Sequence, residues 1–243
     1  MLNELATLLH ELFATDQSYH AQHQKDGTYK KKAGAVTKTL LERTLRNSGS
    51  LAIYQRNNDF TVKWICFDFD ISKSNLYSTR RQEAQIELER TVNVFCQSLE
   101  RLTVPYLLEF SGNRGFHVWI TFQDRINYRT GYEILQELIE TTQLTFNKEL
   151  IAIDLFPKSG TATDGPGLGV KVPLSKHTKS EQYATLLSKP EDIGSLIKTN
   201  TLDADKIKSQ IEILKKHRST TKSALEETLG TFFHLNNDET FRP

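Results

Sequence analysis

The chain has 243 residues, of which 37% are hydrophobic and 25% are charged, with a formal net charge of +1 at pH 7. These values are typical of a globular protein of one sizeable or two small domains. They give little overall electrostatic attraction for nucleic acid. No apolar run is long enough to span a membrane, and the N-terminus lacks the basic region of a signal peptide. The only cysteines, Cys66 and Cys96, do not form a disulfide framework, so we expect a cytoplasmic protein.

Residues 1–50 are predicted to form an N-terminal helical segment. Leucines at helical spacing predict a helix over residues 2–13, and Thr37 can cap a second helix that ends near Arg46. Three consecutive lysines lie between these helices: Lys30, Lys31 and Lys32. They either contact a nucleic-acid backbone or form an ordinary solvated surface, and the sequence favours neither.

Residues 51–185 alternate between strand and helix patterns, and residues 186–243 are predicted to be helical. The predicted strands are 51–55, 62–69, 106–110, 116–122, 150–156 and a short one at Lys171, and the predicted helices are 79–102, 128–144, 190–198, 203–217 and 223–230. In the helix 79–102 we expect Ile86, Val92, Val94, Phe95 and Leu99 to face inward. The fold class that follows is α+β, with a mixed sheet and helices at both ends.

The acidic pair Asp68 and Asp70 closes an apolar strand. Side chains alternate along a strand, so both carboxylates share one face. Two buried anions repel each other and lose hydration, and hard divalent cations such as Mg²⁺ or Mn²⁺ would neutralise them. The alternative is a pair of solvated carboxylates that cap the next helix.

Residues 109–120 have the pattern of a strand, a tight glycine turn and a second strand. Gly112 and Gly115 permit a positive φ and a close backbone approach, as a phosphate cradle requires. Ser111, Arg114 and His117 offer a hydroxyl, a guanidinium and an imidazole to anionic oxygens. The alternative is an ordinary hairpin with an exposed arginine and a packed histidine.

Two further stretches carry candidate site residues. Asp154 interrupts a short apolar strand, and we prefer it over Asp164 in the following glycine-rich loop because a strand holds a ligand more rigidly. Downstream, Lys171, Ser175 and His177 surround a proline that ends a strand. Lysine is a suitable point-charge partner for phosphates, although a solvated charge cluster has the same pattern.

Taken in this order, the motifs from Leu51 to Lys179 resemble those of the archaeo-eukaryotic primase superfamily. The stretch Ser111 to Trp119 is similar to the second motif of the primase small catalytic subunit, and Lys171 to His177 is similar to its Lys-x-Pro-x-Ser-x-His segment. Upstream, residues 25–29, 40–43, 53–54 and 62–64 resemble primase-polymerases of prokaryotic mobile-element, conflict and CRISPR systems.

The resemblance implies a primase-type palm, two divalent metal ions and a site for a nucleoside triphosphate. The implied metal ligands are Asp68, Asp70 and Asp154, and the implied nucleotide-binding residues are Ser111, Arg114, Gly115, His117, Lys171, Ser175 and His177. Asn113 replaces a basic residue that the primase small subunit often has, which removes one phosphate contact. Relatives often carry a zinc-binding cysteine cluster, and two cysteines are too few for one, so we expect no structural zinc.

The implied reaction is template-directed nucleotidyl transfer, with a single-stranded template and nucleoside triphosphates as partners and no membrane. Phe232, Phe233 and Phe241 have no evident core to join, which suggests fused or associated domains. One alternative is a metal-dependent glycosyltransferase that holds a nucleotide sugar through Asp-x-Asp. The other is a catalytically silent nucleic-acid-binding module of the same fold.

Overall fold

The computed structural model describes residues 1–24, 26, 28–162, 165 and 167–230. In this part of the chain the α-helices are α1 (Leu2–Phe13), α2 (Lys38–Arg46), α3 (Arg81–Arg101), α4 (Tyr128–Thr141), α5 (Ala204–Lys216) and α6 (Lys222–Leu229). Short 3-10 helices occupy Lys73–Asn75 and Pro190–Ile193. The strands are β1 (Tyr19–His23), β2 (Tyr29–Ala33), β3 (Leu51–Tyr54), β4 (Thr61–Ile71), β5 (Leu107–Phe110), β6 (Gly115–Asn127), β7 (Ile151–Phe156), β8 (Gly169–Lys171) and β9 (Thr185–Leu187). The α+β class is confirmed.

The strands form two sheets. The larger sheet has the order β7-β4-β6-β5-β9, and the smaller has the order β2-β1-β3-β8. Every ladder within them is antiparallel. The expectation of one mixed sheet is therefore wrong in this detail. The hairpin β1–β2 lies within residues 1–50, which were expected to be helical. The sequence did not indicate this hairpin, because the run of lysines in β2 has no alternation of apolar and polar residues.

The alternation of side chains along β4 separates two hydrophobic cores. Phe67 and Phe69 point to one face, where they pack in a cluster with residues of α3 and α4. Trp64 and Cys66 point to the other face and pack with residues of α1, α2 and α5. Asp68 and Asp70 continue this second face beyond the apolar cluster. The same period-2 geometry that buries the tryptophan therefore places both carboxylates in one row.

Helix α3 turns its apolar face toward the larger sheet, as expected for Val92, Phe95 and Leu99, which are buried. The expectation is wrong for Ile86 and Val94, which are 60% and 44% exposed. Both lie two positions from buried neighbours, which is about half a turn around the helix.

Some expectations fall on residues outside the described part of the chain. They are the alternative ligand Asp164 and residues 231–243 of the predicted C-terminal helical segment, which include Phe232, Phe233 and Phe241. Among the described residues, no helix is long and apolar enough to cross a membrane.

Candidate active site

Three acidic residues lie side by side on one face of the larger sheet. Asp68 is the direct cross-strand partner of Asp154 on β7, and Asp70 lies two residues further along β4. On the other side of β4, Asp68 is paired with His117 on β6. Paired residues in an antiparallel ladder point to the same face. The pairing therefore brings Asp68, Asp154 and His117 together from three strands.

The acidic pair is electrostatically frustrated. Burial, followed by repulsion from Asp70 and Asp154, raises the pKa of Asp68 to about 7, against the attraction of His117. Burial also raises the pKa of Asp70, although Arg114 opposes this shift. A raised pKa means that the surroundings do not fully compensate the negative charge. The site therefore favours additional positive charge.

Each carboxylate nevertheless has one cationic neighbour in the structure. Arg114 Nη2 lies 2.5 Å from Asp70 Oδ2, and His117 Nε2 lies 3.5 Å from Asp68 Oδ1. Asp154 is 59% exposed and pairs with Lys158 at 3.2 Å. The third carboxylate is thus at the solvent edge of the row.

The glycine turn after β5 depends on two different properties of glycine. Gly112 has a φ of +89°, which a residue with a side chain rarely adopts. Gly115 pairs with Asp70, and a Cβ there would lie 2.0 Å from the carbonyl oxygen of Phe69 and 2.3 Å from Asp70 Oδ1. The turn closes with a hydrogen bond from Ser111 N to Gly115 O of 2.9 Å. Position 115 therefore requires glycine because the neighbouring strand and Asp70 lie too close to its backbone for a side chain.

Glu109, which the sequence patterns did not single out, is the polar centre beneath this turn. It is fully buried on β5 and is the cross-strand partner of His117. Its Oε2 lies 2.8 Å from His117 Nδ1 and accepts from Trp119 Nε1 at 2.9 Å. Its Oε1 accepts from Leu174 N at 3.1 Å. An acidic residue in an otherwise apolar strand was the one available signal.

The charges around Glu109 are mutually stabilised. Burial disfavours its ionised form, but the hydrogen bond and charge of His117, followed by Lys171, outweigh burial and lower the pKa of Glu109. Burial also disfavours imidazolium at His117, yet Asp68 and Glu109 outweigh it and raise the pKa of His117. The ionised pair is thus favoured although both groups are buried.

The segment after β8 brings its basic residues to the same region. Lys171 is only 4% exposed, and its Nζ donates to the carbonyl oxygen of Ser175 at 3.1 Å. Burial lowers the pKa of Lys171, against the attraction of Glu109 and Asp68. Ser175 Oγ donates to the carbonyl oxygen of Val172 at 2.7 Å. Ser175 thereby shapes the turn and supplies an oxygen to Lys171.

His177 has the opposite electrostatic character to His117. Burial, followed by the charge of Lys171, lowers the pKa of His177 to about 4, so it is neutral near pH 7. Its Nδ1 accepts from the backbone N–H groups of Lys179 and Ser180, each at 3.3 Å. The proton of this neutral imidazole is therefore on Nε2.

A cavity of about 660 Å³ lies between the two sheets and joins most of these residues. The predicted site residues that line it are Asp68, Asp70, Ser111, Arg114, His117, Lys171 and His177. Asp154, Gly115 and Ser175 are not among its lining residues and lie beside it or support it. Residues that the prediction did not assign to the site also line it: His23, Tyr29, Lys73, Tyr77, Arg81, Asn113 and Lys179. Three basic side chains add positive charge to the cavity, which Asn113 also lines: Lys73, Arg81 and Lys179.

The hairpin β1–β2 contributes an aromatic pair to the cavity. His23 and Tyr29 are cross-strand partners whose rings stack with centroids 4.7 Å apart. The His23 ring also meets His177 edge to face at 5.0 Å. Tyr29 is 46% exposed in this position.

The three lysines of β2 do not form one patch. All three are exposed, but Lys31 points to the opposite face of the strand from Lys30 and Lys32. Lys31 Nζ lies 3.7 Å from the centroid of the Tyr19 ring. None of the three is among the residues that line the cavity. Their contact with nucleic acid stays a prediction.

The donor chemistry of the acidic row fits a divalent cation, since carboxylate oxygens are its preferred ligands. The raised pKa values of Asp68 and Asp70 indicate a local deficit of positive charge. As the side chains are placed, however, no group of three or more acidic, histidine or cysteine residues in the described part of the chain is close enough to hold a metal. Arg114 forms an ion pair with Asp70, and Lys158 forms one with Asp154. A metal ion bound by these carboxylates would displace both cations.

The fold resembles that of two solved structures. The polymerase domain of Mycobacterium tuberculosis ligase D in complex with DNA matches with a TM-score of 0.55 at 12% identity, over 94% of this chain and 90% of that one. The archaeo-eukaryotic primase domain of the cyanophage S-2L primase-polymerase matches with a TM-score of 0.41 at 13% identity, over 86% and 93% of the two chains. The match to the ligase D polymerase domain shows that this chain shares its fold.

A family model identifies the family of this chain. The model for the archaeo-eukaryotic primase domain of the TOTE conflict system matches residues 12–228, and the chain belongs to this family. No curated protein sequence matches the chain. The resemblance to the superfamily and to its conflict-system members is confirmed. Family and fold together suggest nucleotidyltransferase activity.

Proposed function

We propose that this domain is a template-directed nucleotidyltransferase that extends or initiates a nucleic-acid strand. The observation that carries the proposal is the row of Asp68, Asp70 and Asp154 beside a cavity whose other wall is basic. Acidic groups on one side and cations on the other suit a nucleoside triphosphate with its metal ions. The family and fold described above support the same class of reaction.

Asp68, Asp70 and Asp154 would hold two ions of Mg²⁺ or Mn²⁺. When bound, these ions would lower the pKa of a 3′-hydroxyl and neutralise charge on the α-phosphate and the pyrophosphate leaving group. No protein nucleophile is then required.

The basic residues would grip the triphosphate from two directions. Arg114 and His117 approach from the glycine turn and β6, whereas Lys171 and His177 approach from the smaller sheet and the segment after it. Arg114 would exchange Asp70 for a phosphate once a metal neutralises that carboxylate. His177 is neutral and would donate a hydrogen bond from Nε2 without adding charge. These contacts position the phosphates and offset their charge.

The test is incubation with a single-stranded template, Mn²⁺ or Mg²⁺ and either ribo- or deoxynucleotides, with and without a primer. We expect strand synthesis by the wild type and none by Asp68→Ala. Asp124→Ala is the matched control, because Asp124 is an exposed aspartate on β6 that does not line the cavity. Absence of synthesis in every combination, together with retained nucleotide and strand binding, would favour the silent nucleic-acid-binding module. The family and fold give the glycosyltransferase alternative no support.

A further inference from the structure

Glu109 is surrounded by hydrogen-bond donors, although it is fully buried and does not line the cavity. The backbone N–H of Leu174 and the indole N–H of Trp119 can only donate. They bond to different oxygens, Leu174 to Oε1 and Trp119 to Oε2. Each carboxyl oxygen therefore acts as an acceptor in this arrangement. Burial opposes ionisation of Glu109, but the hydrogen bond and charge of His117, followed by Lys171, outweigh it and lower the pKa, so the ionised carboxylate is favoured.

The ionised carboxylate determines which nitrogen of His117 carries a proton. His117 Nδ1 lies 2.8 Å from Glu109 Oε2, a distance that requires a hydrogen between the two atoms. Since the carboxylate carries none, the hydrogen belongs to Nδ1. His117 Nε2 is thereby left to face Asp68 and the cavity.

Glu109 also holds the segment that carries the other phosphate-binding candidates. Leu174 lies midway between Lys171 and His177 and has a φ of +66°, in the left-handed region that costs free energy for a residue with a side chain. Its N–H is bonded to Glu109 across 65 residues of sequence. One buried carboxylate thus connects β6 of the larger sheet to the turn that follows β8 of the smaller sheet.

We propose that Glu109 is a positioning residue for the nucleotide site. It holds the His117 ring with its proton on Nδ1, so that Nε2 is presented to the ligand, and it anchors the turn that presents Lys171 and His177. The identity of the ligand, a nucleoside triphosphate, rests on the proposed function. The connection through Glu109 rests on the geometry alone.

The first experiment reads the proton positions without any ligand. Nitrogen-15 NMR of histidine-labelled protein distinguishes a protonated ring nitrogen from a bare one, and spectra of His117→Asn and His177→Asn assign the two rings. We expect His117 to be protonated at Nδ1 and neutral His177 to be bare at Nδ1, so His177 is an internal reference of opposite type. In Glu109→Gln the Nδ1 proton of His117 should be lost in part or in full, because the amide keeps only one acceptor oxygen for the donors that the two carboxylate oxygens now serve. A bare Nδ1 in the wild type, or an unchanged His117 in Glu109→Gln, would overturn the proposal.

The second experiment measures whether Glu109 acts through His117. Affinities for ATP and dATP with Mg²⁺ would be determined for the wild type, Glu109→Gln, His117→Ala and the double variant. We expect a loss of ~tenfold or more in each single variant and a smaller further loss when Glu109→Gln is added to His117→Ala. An equal cost of Glu109→Gln in both backgrounds would contradict the positioning role.

Gln210→Met is the matched structural control. Gln210 is also buried and anchors backbone groups of Leu186 on β9, and neither residue is among those that line the cavity. The Gln210→Met substitution should lower the free energy of unfolding without a comparable loss of nucleotide affinity. If the wild type binds neither nucleotide, the proposed function fails, and the nitrogen-15 measurement still decides the role of Glu109.

Discussion

Asp68 and Asp154 are direct partners in the antiparallel ladder between β4 and β7, and both carboxyl groups belong to one face of the sheet. Their surroundings differ, because the side chain of Asp68 is 23% exposed and that of Asp154 is 59% exposed. The inner carboxylate is thus destabilised by burial and by its neighbours, and the outer one is solvated and paired with Lys158.

Neutralising Asp68 should abolish nucleotide incorporation and still stabilise the metal-free protein. The raised pKa of Asp68 shows that burial and repulsion outweigh the attraction of His117. For Asp68→Asn we expect a gain of ~1 kcal/mol, which corresponds to a rise in Tm of about 2–4 °C. Calorimetry in the presence of a chelator, together with primer extension, measures both effects. Asp70→Asn should lack this gain, because it removes the ion pair between Asp70 and Arg114. Wild-type incorporation by either variant would refute the metal assignment.

Removing Arg114 or His117 should weaken nucleotide binding more than template binding. Both side chains line the cavity beside the acidic row, and charge-assisted bonds to phosphate contribute about 1.5–3 kcal/mol each. Separate titrations of Arg114→Ala and His117→Ala with labelled nucleotide and labelled single strand measure the difference. Arg90→Ala, which removes an exposed arginine on α3, serves as the control. Equal losses for both ligands would assign the turn to the template.

Neutralising the lysines of β2 should reduce the salt dependence of single-strand binding without changing nucleotide affinity. For each lysine–phosphate ion pair that a substitution removes, the slope of log K against log salt should fall by about 0.7. Because Lys30 and Lys32 share one face and Lys31 lies on the other, the double variant Lys30→Gln/Lys32→Gln should be compared with Lys31→Gln. An unchanged slope in both variants would identify these lysines as a solvated surface.

The stability of the protein should decrease in mild acid through His217, which is remote from the acidic row. Burial lowers the pKa of His217 to about 4, and Thr121 Oγ1 lies 2.7 Å from its Nε2. Its folded pKa is below the ordinary value of 6.5, so protons bind the unfolded state preferentially. The stability it contributes is complete above pH 6.5 and is lost as the pH falls toward 4. Urea unfolding across this range should show a smaller loss in His217→Gln than in the wild type, and parallel losses would contradict the assignment.

Gly115→Ala should destabilise the protein because the new Cβ would meet Phe69 O and Asp70 Oδ1. Overpacking of this kind costs about 1–3 kcal/mol. Gly194→Ala is the matched control, since no atom lies within 4 Å of a Cβ there and its φ is −70°. Denaturant unfolding of both variants tests the contact. Equal stability of the two variants would show that β4 and β6 can separate locally at little cost.

Local patterns predicted much of the secondary structure. The alternation around Asp68 and Asp70 placed both carboxylates on one face, and β4 extends over Thr61–Ile71 as a single strand. Gly112 and Gly115 located the turn between β5 and β6. These features depend on the backbone and on neighbours within a few residues, so the sequence alone determines them.

The tertiary structure alone decided which of these residues meet. The pairing of Asp68 with Asp154 joins two strands, and the bond from Leu174 to Glu109 joins a turn to a strand, across long distances in sequence. A local pattern carries no information on such partners, because register and sheet order depend on the packing of the whole core. The same reason explains why Glu109 was not recognised and why the hairpin that carries His23 and Tyr29 was not expected at the cavity. The sequence determined which side chains are available for chemistry, and long-range strand pairing determined which of them share one site.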